Sequence, residues 1–203
     1  MALSPEAIAG VAAQLAAMIT AFGVVAGALV AVWRKVISPL WENRKTRRGL
    51  LNLTPCYDEL NQVRGGVHAS RAVLLGTENG GGVPGPGTQV TSSVFAESVG
   101  ALPPVKPDWQ GQPVDEQYAR LLHDVITKGE VILRTNTMSE GVLRTLYRGQ
   151  GITHSCVRLV STTNHRVYYL SVNWTGADDV DILTPTHRNA IRASALRLSK
   201  LLR

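Results

Sequence analysis

From Ala7 to Trp33 the chain runs for 27 consecutive residues without a charged side chain. At ~1.5 Å per residue a helix of that length reaches about 40 Å, beyond the ~30 Å hydrocarbon core of a bilayer, so it spans with some tilt. Ten of the 27 are Ala and three are Gly, with Gln14 and Thr20 the polar interruptions, so the run is only modestly apolar. Ser4-Pro5-Glu6 makes a sound helix start: a capping hydroxyl, a proline in the first turn and a carboxylate beside the amide end. The run exceeds the usual length of a globular helix, which argues against a buried Ala-rich element. A cleaved leader needs positive charge ahead of its apolar core, and no Lys or Arg precedes Arg34. The expectation is one transmembrane helix over residues 1–35, a basic juxtamembrane linker over 36–49 and a soluble domain over 50–203.

The charge distribution sharpens this. Residues 1–48 carry Arg34, Lys35, Arg44, Lys45, Arg47 and Arg48 against Glu6 and Glu42, whereas the remainder is close to neutral within a chain total of +6. All six cations follow the apolar run, and basic flanks are retained on the cytoplasmic side. The expected placement is the inner (cytoplasmic) membrane with the N-terminus out and the soluble domain cytoplasmic, where Cys56 and Cys156 stay free thiols. Trp33 and Trp41 sit at headgroup level in this arrangement, and the dibasic pairs lie against the lipid bilayer, the first expected partner. Gly23, Gly27 and Ala31 repeat at four-residue spacing, as do Ala9, Ala13, Ala17 and Ala21. Such stripes let helices approach closely in lipid, so a homo-oligomer is expected. A near-neutral soluble part gives no broad basic surface, so nucleic acid is not expected as a partner, while a protein partner is compatible.

Along the soluble part, Thr54-Pro55 opens a helix to about Arg64 with Gly65-Gly66 as its stop. Ser70–Gly76 reads as a buried strand, 79–87 as a Gly/Pro-rich loop and Thr88–Glu97 as a second strand. Asp115–Lys128 is amphipathic, with Tyr118, Leu121, Leu122, Val125 and Ile126 on one face and Gly129 as its stop. Glu130–Thr135 is a short strand. Ser139 then caps a helix that turns Val142, Leu143, Leu146 and Tyr147 inward, with Met138 and Leu143 as a hydrophobic staple and Gly149 as the stop. Ile152 to Trp174 is a hairpin tipped by Asn164-His165, with Tyr168, Leu170, Val172 and Trp174 on one face. Thr184-Pro185 opens a last helix with an apolar stripe of Ile191, Ala195, Leu198 and Leu202. The predicted core includes Tyr118, Leu121, Leu122, Val125, Ile126, Val131, Leu133, Leu159, Leu170 and Val172.

This order describes an α+β fold, a mostly antiparallel sheet with helices at both ends of the domain. The opening helix, the strand SRAVLLG, the helix–strand–helix unit Asp115–Gly149 and the phrase LYRGQGITHSCVRLV…RVYYLSVNW together resemble the GAF/PAS-type sensor domains, in which a "gi.S.l.vPl…g..iGvL.l" hairpin stands at that place. The resemblance implies a GAF-like sheet with flanking helices and a sensor or interaction module rather than an enzyme. The Asn-Lys-Phe-Asp-Glu signature of cyclic-nucleotide-binding members is absent, and Cys156 sits mid-strand. Such folds bring their first and last helices together, so the resemblance implies either that the Tyr57/Leu60 face and the Ile191/Leu198/Leu202 stripe form one pairing surface or that the closing helix completes the domain's own core.

Little in the sequence assembles a reaction centre. The loop NGGGVPGPG has no Lys, loses amide donors to its prolines and leads into a strand, so it lacks the parts of a phosphate-cradling loop. His68, His123, His154, His165 and His187 form no motif with metal-ligand spacing. His154 and Cys156 share a strand face, the geometry of a nucleophilic pair, but a packed histidine beside a small thiol is the commoner arrangement. Asp178, Asp179 and Asp181 lack the glycine and bidentate glutamate of a calcium loop. Arg158, Arg166, Tyr168, Tyr169 and Trp174 could stack on bases, but a packed sheet is the better account of them. No cofactor is expected. The leading reading is a single-pass membrane protein with a GAF-like sensor or interaction domain. The alternative, prompted by the Ala/Gly-rich helix, is a phage holin-like protein that permeabilises membranes.

Overall fold

Helix α1, over residues 53–66, buries Cys56, Leu60 and Val63 at helical spacing. It ends in a Schellman turn: the Ala69 N–H donates to Arg64 O at 2.9 Å and the His68 N–H to Gly65 O at 3.2 Å, with His68 at φ 52°. The left-handed position expected at Gly65-Gly66 thus falls to His68, and both glycines belong to the helix. The computed structural model describes residues 53–78, 89–163, 166–176 and 183–202, together with Phe22 and Val30. The chain divides into two units, Met1–Leu51 and Asn52–Arg203, and the sheet with its helices belongs to the second. Among the described residues no helix is long and apolar enough to cross a membrane. The 7–33 run lies outside them except for Phe22 and Val30, both helical and exposed.

Six antiparallel strands follow: β1 Arg71–Glu78, β2 Thr91–Val99, β3 Gln112–Pro113, β4 Glu130–Arg134, β5 Ile152–Thr162 and β6 Val167–Thr175. They form one sheet in the order β3-β2-β1-β6-β5-β4. The two-residue β3 is too short to leave a periodic signal in the sequence. Helix α2, Glu116–Lys128, precedes β4, a 3-10 turn at Thr135–Thr137 follows it, and α3, Val142–Gly149, leads into β5. Helix α4, Pro185–Leu201, closes the domain; the Thr184 hydroxyl accepts from the His187 N–H, and Pro185 lies in the first turn.

Alternation along the strands builds two cores, one on each face of the sheet. Ala72, Leu74, Cys156, Leu170, Val172 and Trp174 pack with Leu60 and Val63 of α1 and with Ile191, Ala195 and Leu198 of α4. Val73, Leu75, Val94, Val157 and Tyr169 pack with Tyr118, Leu121, Leu122 and Val125 of α2 and with Leu143 and Tyr147 of α3. β1 is buried on both faces over seven consecutive residues. Gly76 of this strand is needed for its smallness: a Cβ there would lie 2.5 Å from Phe95 Cε2. Phe95 is the extra residue of the β1–β2 bulge and meets Tyr168 edge-on at 5.2 Å.

The structure corrects two expectations of burial. Ile126 is 44% exposed, whereas Leu122 is 7% exposed. At about 100° per residue Ile126 lies some 80° around the helix from Tyr118, past the edge of the arc that faces the sheet. Val131, Leu133 and Leu159 are half-buried against the second core. Leu60, Ile191 and Leu198 are fully buried in the domain's own first core. Of the two arrangements open to the terminal helices, the structure has the one in which they complete the domain's own core, and their apolar stripes are not a pairing surface.

Two consequences are measurable. Leu122→Ala should cost about 2–5 kcal/mol in urea unfolding, and Ile126→Ala no more than about 0.5 kcal/mol. Glu59 of α1 accepts from Arg197 Nε at 2.7 Å and Nη2 at 2.8 Å. Burial pushes the Glu59 carboxyl up, but the hydrogen bonds and charge of Arg197 work against it and the group is held below its usual value. A carboxyl depressed in the folded state adds stability above its unfolded value and loses it as pH falls through the folded one. Stability should therefore decline on acidification below the ordinary glutamate range, and Glu59→Gln should flatten that decline in urea titrations run at stepped pH.

Candidate functional site

One carboxylate organises the second face. Asp115 caps α2, with Oδ1 accepting from the Tyr118 N–H at 2.8 Å, while its Oδ2 accepts from the Val142 N–H of α3 at 2.8 Å. The expected Ser139 cap is thus displaced: α3 begins at Val142, behind Gly141, and its first amide is met from another helix. Gly141 permits the approach, because a Cβ there would lie 2.8 Å from Asp115 Oδ2. The residue type and the helix start are legible in the sequence; the second amide is not, since it comes from 27 residues along the chain.

Between α2, β4 and α3 this arrangement leaves a cleft of about 200 Å³. Leu121, Val131, Leu133, Met138 and Leu143 wall it, and Arg120, Asp124, Ser139 and Arg144 stand among its polar lining residues. Arg144 pairs with Glu140, its side chain is 15% exposed, and its buried Nε has no partner among the described residues. An apolar wall with a few polar groups at its rim is the make-up of a small-molecule site.

Deeper in, the same face carries a buried hydroxyl network. The Tyr118 hydroxyl donates to Ser92 Oγ at 2.9 Å, and the Tyr169 hydroxyl bonds both Ser92, at 2.5 Å, and Tyr118. A second chain runs from the Tyr147 hydroxyl to Ser155 Oγ at 3.1 Å, then to Ser171, whose hydroxyl donates to Asn173 Oδ1 at 2.9 Å. Burial pushes the Tyr118 phenol up to about 12 and raises Tyr147 and Tyr169 as well, so these groups stay neutral. Trp109 stacks on Tyr147 at 5.6 Å, and its buried indole N–H has no acceptor among the described residues. Arg71, 1% exposed, reaches Gln150 O at 3.2 Å and Pro103 O at 3.4 Å, bracing the loop before β3 and the end of α3 against the sheet. Nothing in the sequence marks Arg71 or Trp109, because neither stands in a periodic pattern.

The other candidates fall out as follows. His154 and Cys156 are both buried on β5. Burial, with Glu130 adding to it, pushes the Cys156 thiol up to about 12, which leaves no thiolate for a nucleophilic step. Tyr169 and Trp174 lie in the cores and offer no ring for base stacking, while Arg158 pairs with Glu130 at 2.6 Å. Among the described residues no group of three or more His, Cys, Asp or Glu is placed to hold a metal. Trp33, Arg34, Lys35, Trp41, Arg44, Lys45, Arg47 and Arg48 lie outside the described residues. So do Gly23, Gly27 and Ala31, the Gly-rich loop, Asn164-His165 and Asp178, Asp179 and Asp181.

The architecture is that of GAF domains. It is similar to the phycocyanobilin-bound GAF domain of a cyanobacterial phytochrome, with TM-score 0.53 and 14% identity over 79% of this chain and 88% of that one. It is similar also to the GAF domain region of a predicted membrane protein from Geobacter sulfurreducens PCA, with TM-score 0.53 and 14% identity over 78% and 97%. A GAF domain/HD domain protein from Geobacter sulfurreducens gives TM-score 0.51 and 11% identity over 71% and 87%. At these identities the likeness is one of fold. No protein-family profile and no curated protein matches the sequence.

The shared cap is open to direct test. Asp115→Ala removes acceptors from two helix starts and should cost about 2 kcal/mol in urea unfolding, about 1 for each cap. Asp115→Asn keeps one acceptor oxygen and should cost roughly half of that.

Proposed function

We propose that residues 53–202 form a non-enzymatic sensor or interaction module, held on the cytoplasmic face of the inner membrane by the 7–33 run. The observation that carries the reading is the GAF-like architecture with a cleft of its own between α2, β4 and α3. Proteins of similar fold include a pigment-bound domain and a domain from a predicted membrane protein. In this chain the cleft suits a small, mainly apolar compound, the hydrocarbon against Leu121, Val131 and Leu143 and a polar end among Arg120, Asp124, Ser139 and Arg144. The Tyr147 and Tyr169 networks behind it hold the sheet wall rigid, so a ligand would be felt by α2 and α3 rather than by the sheet.

Membrane attachment draws support from the sequence: 27 uncharged residues and a basic flank on their C-terminal side. Self-association is assigned to the Gly23, Gly27 and Ala31 stripe, since the helix stripes of the domain are spent on its own core.

A reporter fused after Arg203 tests the placement. A cytoplasm-active reporter should give signal and a periplasm-active one none. The reverse pattern would overturn the cytoplasmic module and favour the permeabilising alternative.

A further inference from the structure

On the opposite face of the sheet from the α2–α3 cleft, the start of α4 meets the β4 edge around a buried carboxylate. The Glu130 side chain is 8% exposed, and both of its oxygens are taken. Oε2 accepts from Arg158 Nη1 at 2.6 Å, and Oε1 accepts from Arg188 Nε at 2.7 Å and Nη2 at 2.6 Å. One turn further along α4, Arg192 lines the same recess, which measures about 200 Å³ and is completed by Pro185 and Asn189. Glu130 makes its ion pairs with Arg158 and Arg188, and Arg192 makes none among the described residues. Among the described residues three guanidinium groups therefore line one recess with a single carboxylate, an excess of two positive charges.

We propose that this recess binds a phosphate dianion. The guanidinium fork of Arg192 matches the paired oxygens of a tetrahedral phosphate better than an ammonium does, and Arg188, one helical turn away on the same face, adds the charge and the N–H groups that Glu130 does not take. Glu130 has a positioning role. It holds Arg158 and Arg188 at the recess wall, so the ordering cost is met before the ligand arrives. The first turn of α4, whose capping threonine is already engaged, adds the positive end of a helix dipole close by. A carboxylate ligand would leave one charge uncompensated, and a phosphomonoester or inorganic phosphate leaves none. The group can arrive on a soluble compound or on a lipid headgroup such as phosphatidic acid.

The experiment follows the arginine Nε–H resonances of the full chain in detergent while inorganic phosphate is added, and then in mixed micelles with phosphatidic acid. Saturable shifts of Arg188 and Arg192 with inorganic phosphate assign a soluble source. Shifts only with phosphatidic acid assign the headgroup. Because Arg192 holds no ion-pair partner among the described residues, Arg192→Ala should fold normally and weaken binding about tenfold, equivalent to about 1.4 kcal/mol. Lys106→Ala, a loss of charge elsewhere, should change nothing. Absence of shifts with either probe, or equal weakening by both variants, would overturn the proposal.

Discussion

The pairing of β1 with β6 is the constraint on which the domain rests. β1 and β2 are neighbours in sequence, as are β5 and β6, and each pair could form as a local ribbon. Only the register Arg71↔Asn173 through Gly76↔Tyr168 joins them into one sheet, and it links residues about a hundred positions apart. A strand that is central in this way has no solvent face, which is why β1 is buried throughout and why both cores take residues from it. The cost of closing so long a loop is recovered only when α1 and α4 cover one face and α2 and α3 the other. The Ser70 hydroxyl reinforces the join, bonding the Thr175 hydroxyl at 2.9 Å and accepting from its N–H at 3.0 Å.

Given that frame, the α2–α3 cleft follows from electrostatics at helix ends. A helix leaves its first amides unsatisfied, and two helix starts brought close together would double that cost. Asp115 meets one amide of each with a separate oxygen, so the starts can converge without burying an orphan donor. The convergence requires Gly141 to lack a side chain. The space between the two helices is floored by Val131 and Leu133 of β4. The recess is therefore a geometric result of how the helices are tied.

Much of this is legible from residue patterns. The apolar spacing of α2 up to Val125, the alternation of β6 and the Gly129 stop read correctly, because each is a local rule acting on an element longer than one turn or on a single backbone angle. Gly129 indeed adopts φ 78°. What cannot be read is whatever a distant segment decides. His68 rather than Gly65-Gly66 takes the left-handed turn because α1 continues as far as its covering of the sheet allows. Ser139 has the right chemistry for a cap, yet Asp115 supplies it. The stripes of α1 and α4 have the look of surface for pairing and are interior, since periodicity shows that a face is covered and not by what. Arg71 is the extreme case: a fully buried cation whose acceptors are two backbone carbonyls from loops. Of the candidate sites, the apolar walls are predicted as core, but their meeting as a cleft depends on tertiary geometry alone.

Strand β4 gives the two recesses their relation. In a strand successive side chains point to opposite faces, so Val131 and Leu133 line the α2–α3 cleft while Glu130 stands on the other side with its arginines. A slip of one residue would exchange these roles, putting a carboxylate into an apolar wall and a valine among guanidinium groups. β4 is an edge strand of five residues, with neighbours on one side only, so the ladder alone holds its register weakly. The ion pair from Glu130 to Arg158, directly opposite in the register, and the Leu159 N–H donating to Gly129 O at 3.0 Å pin its start. The arginine cluster thus secures the alignment on which the apolar cleft behind it depends. Removing Glu130 would leave Arg158 partly buried without its counter-charge and free the edge to shift, so damage on the charged face is transmitted to the apolar one through a single strand.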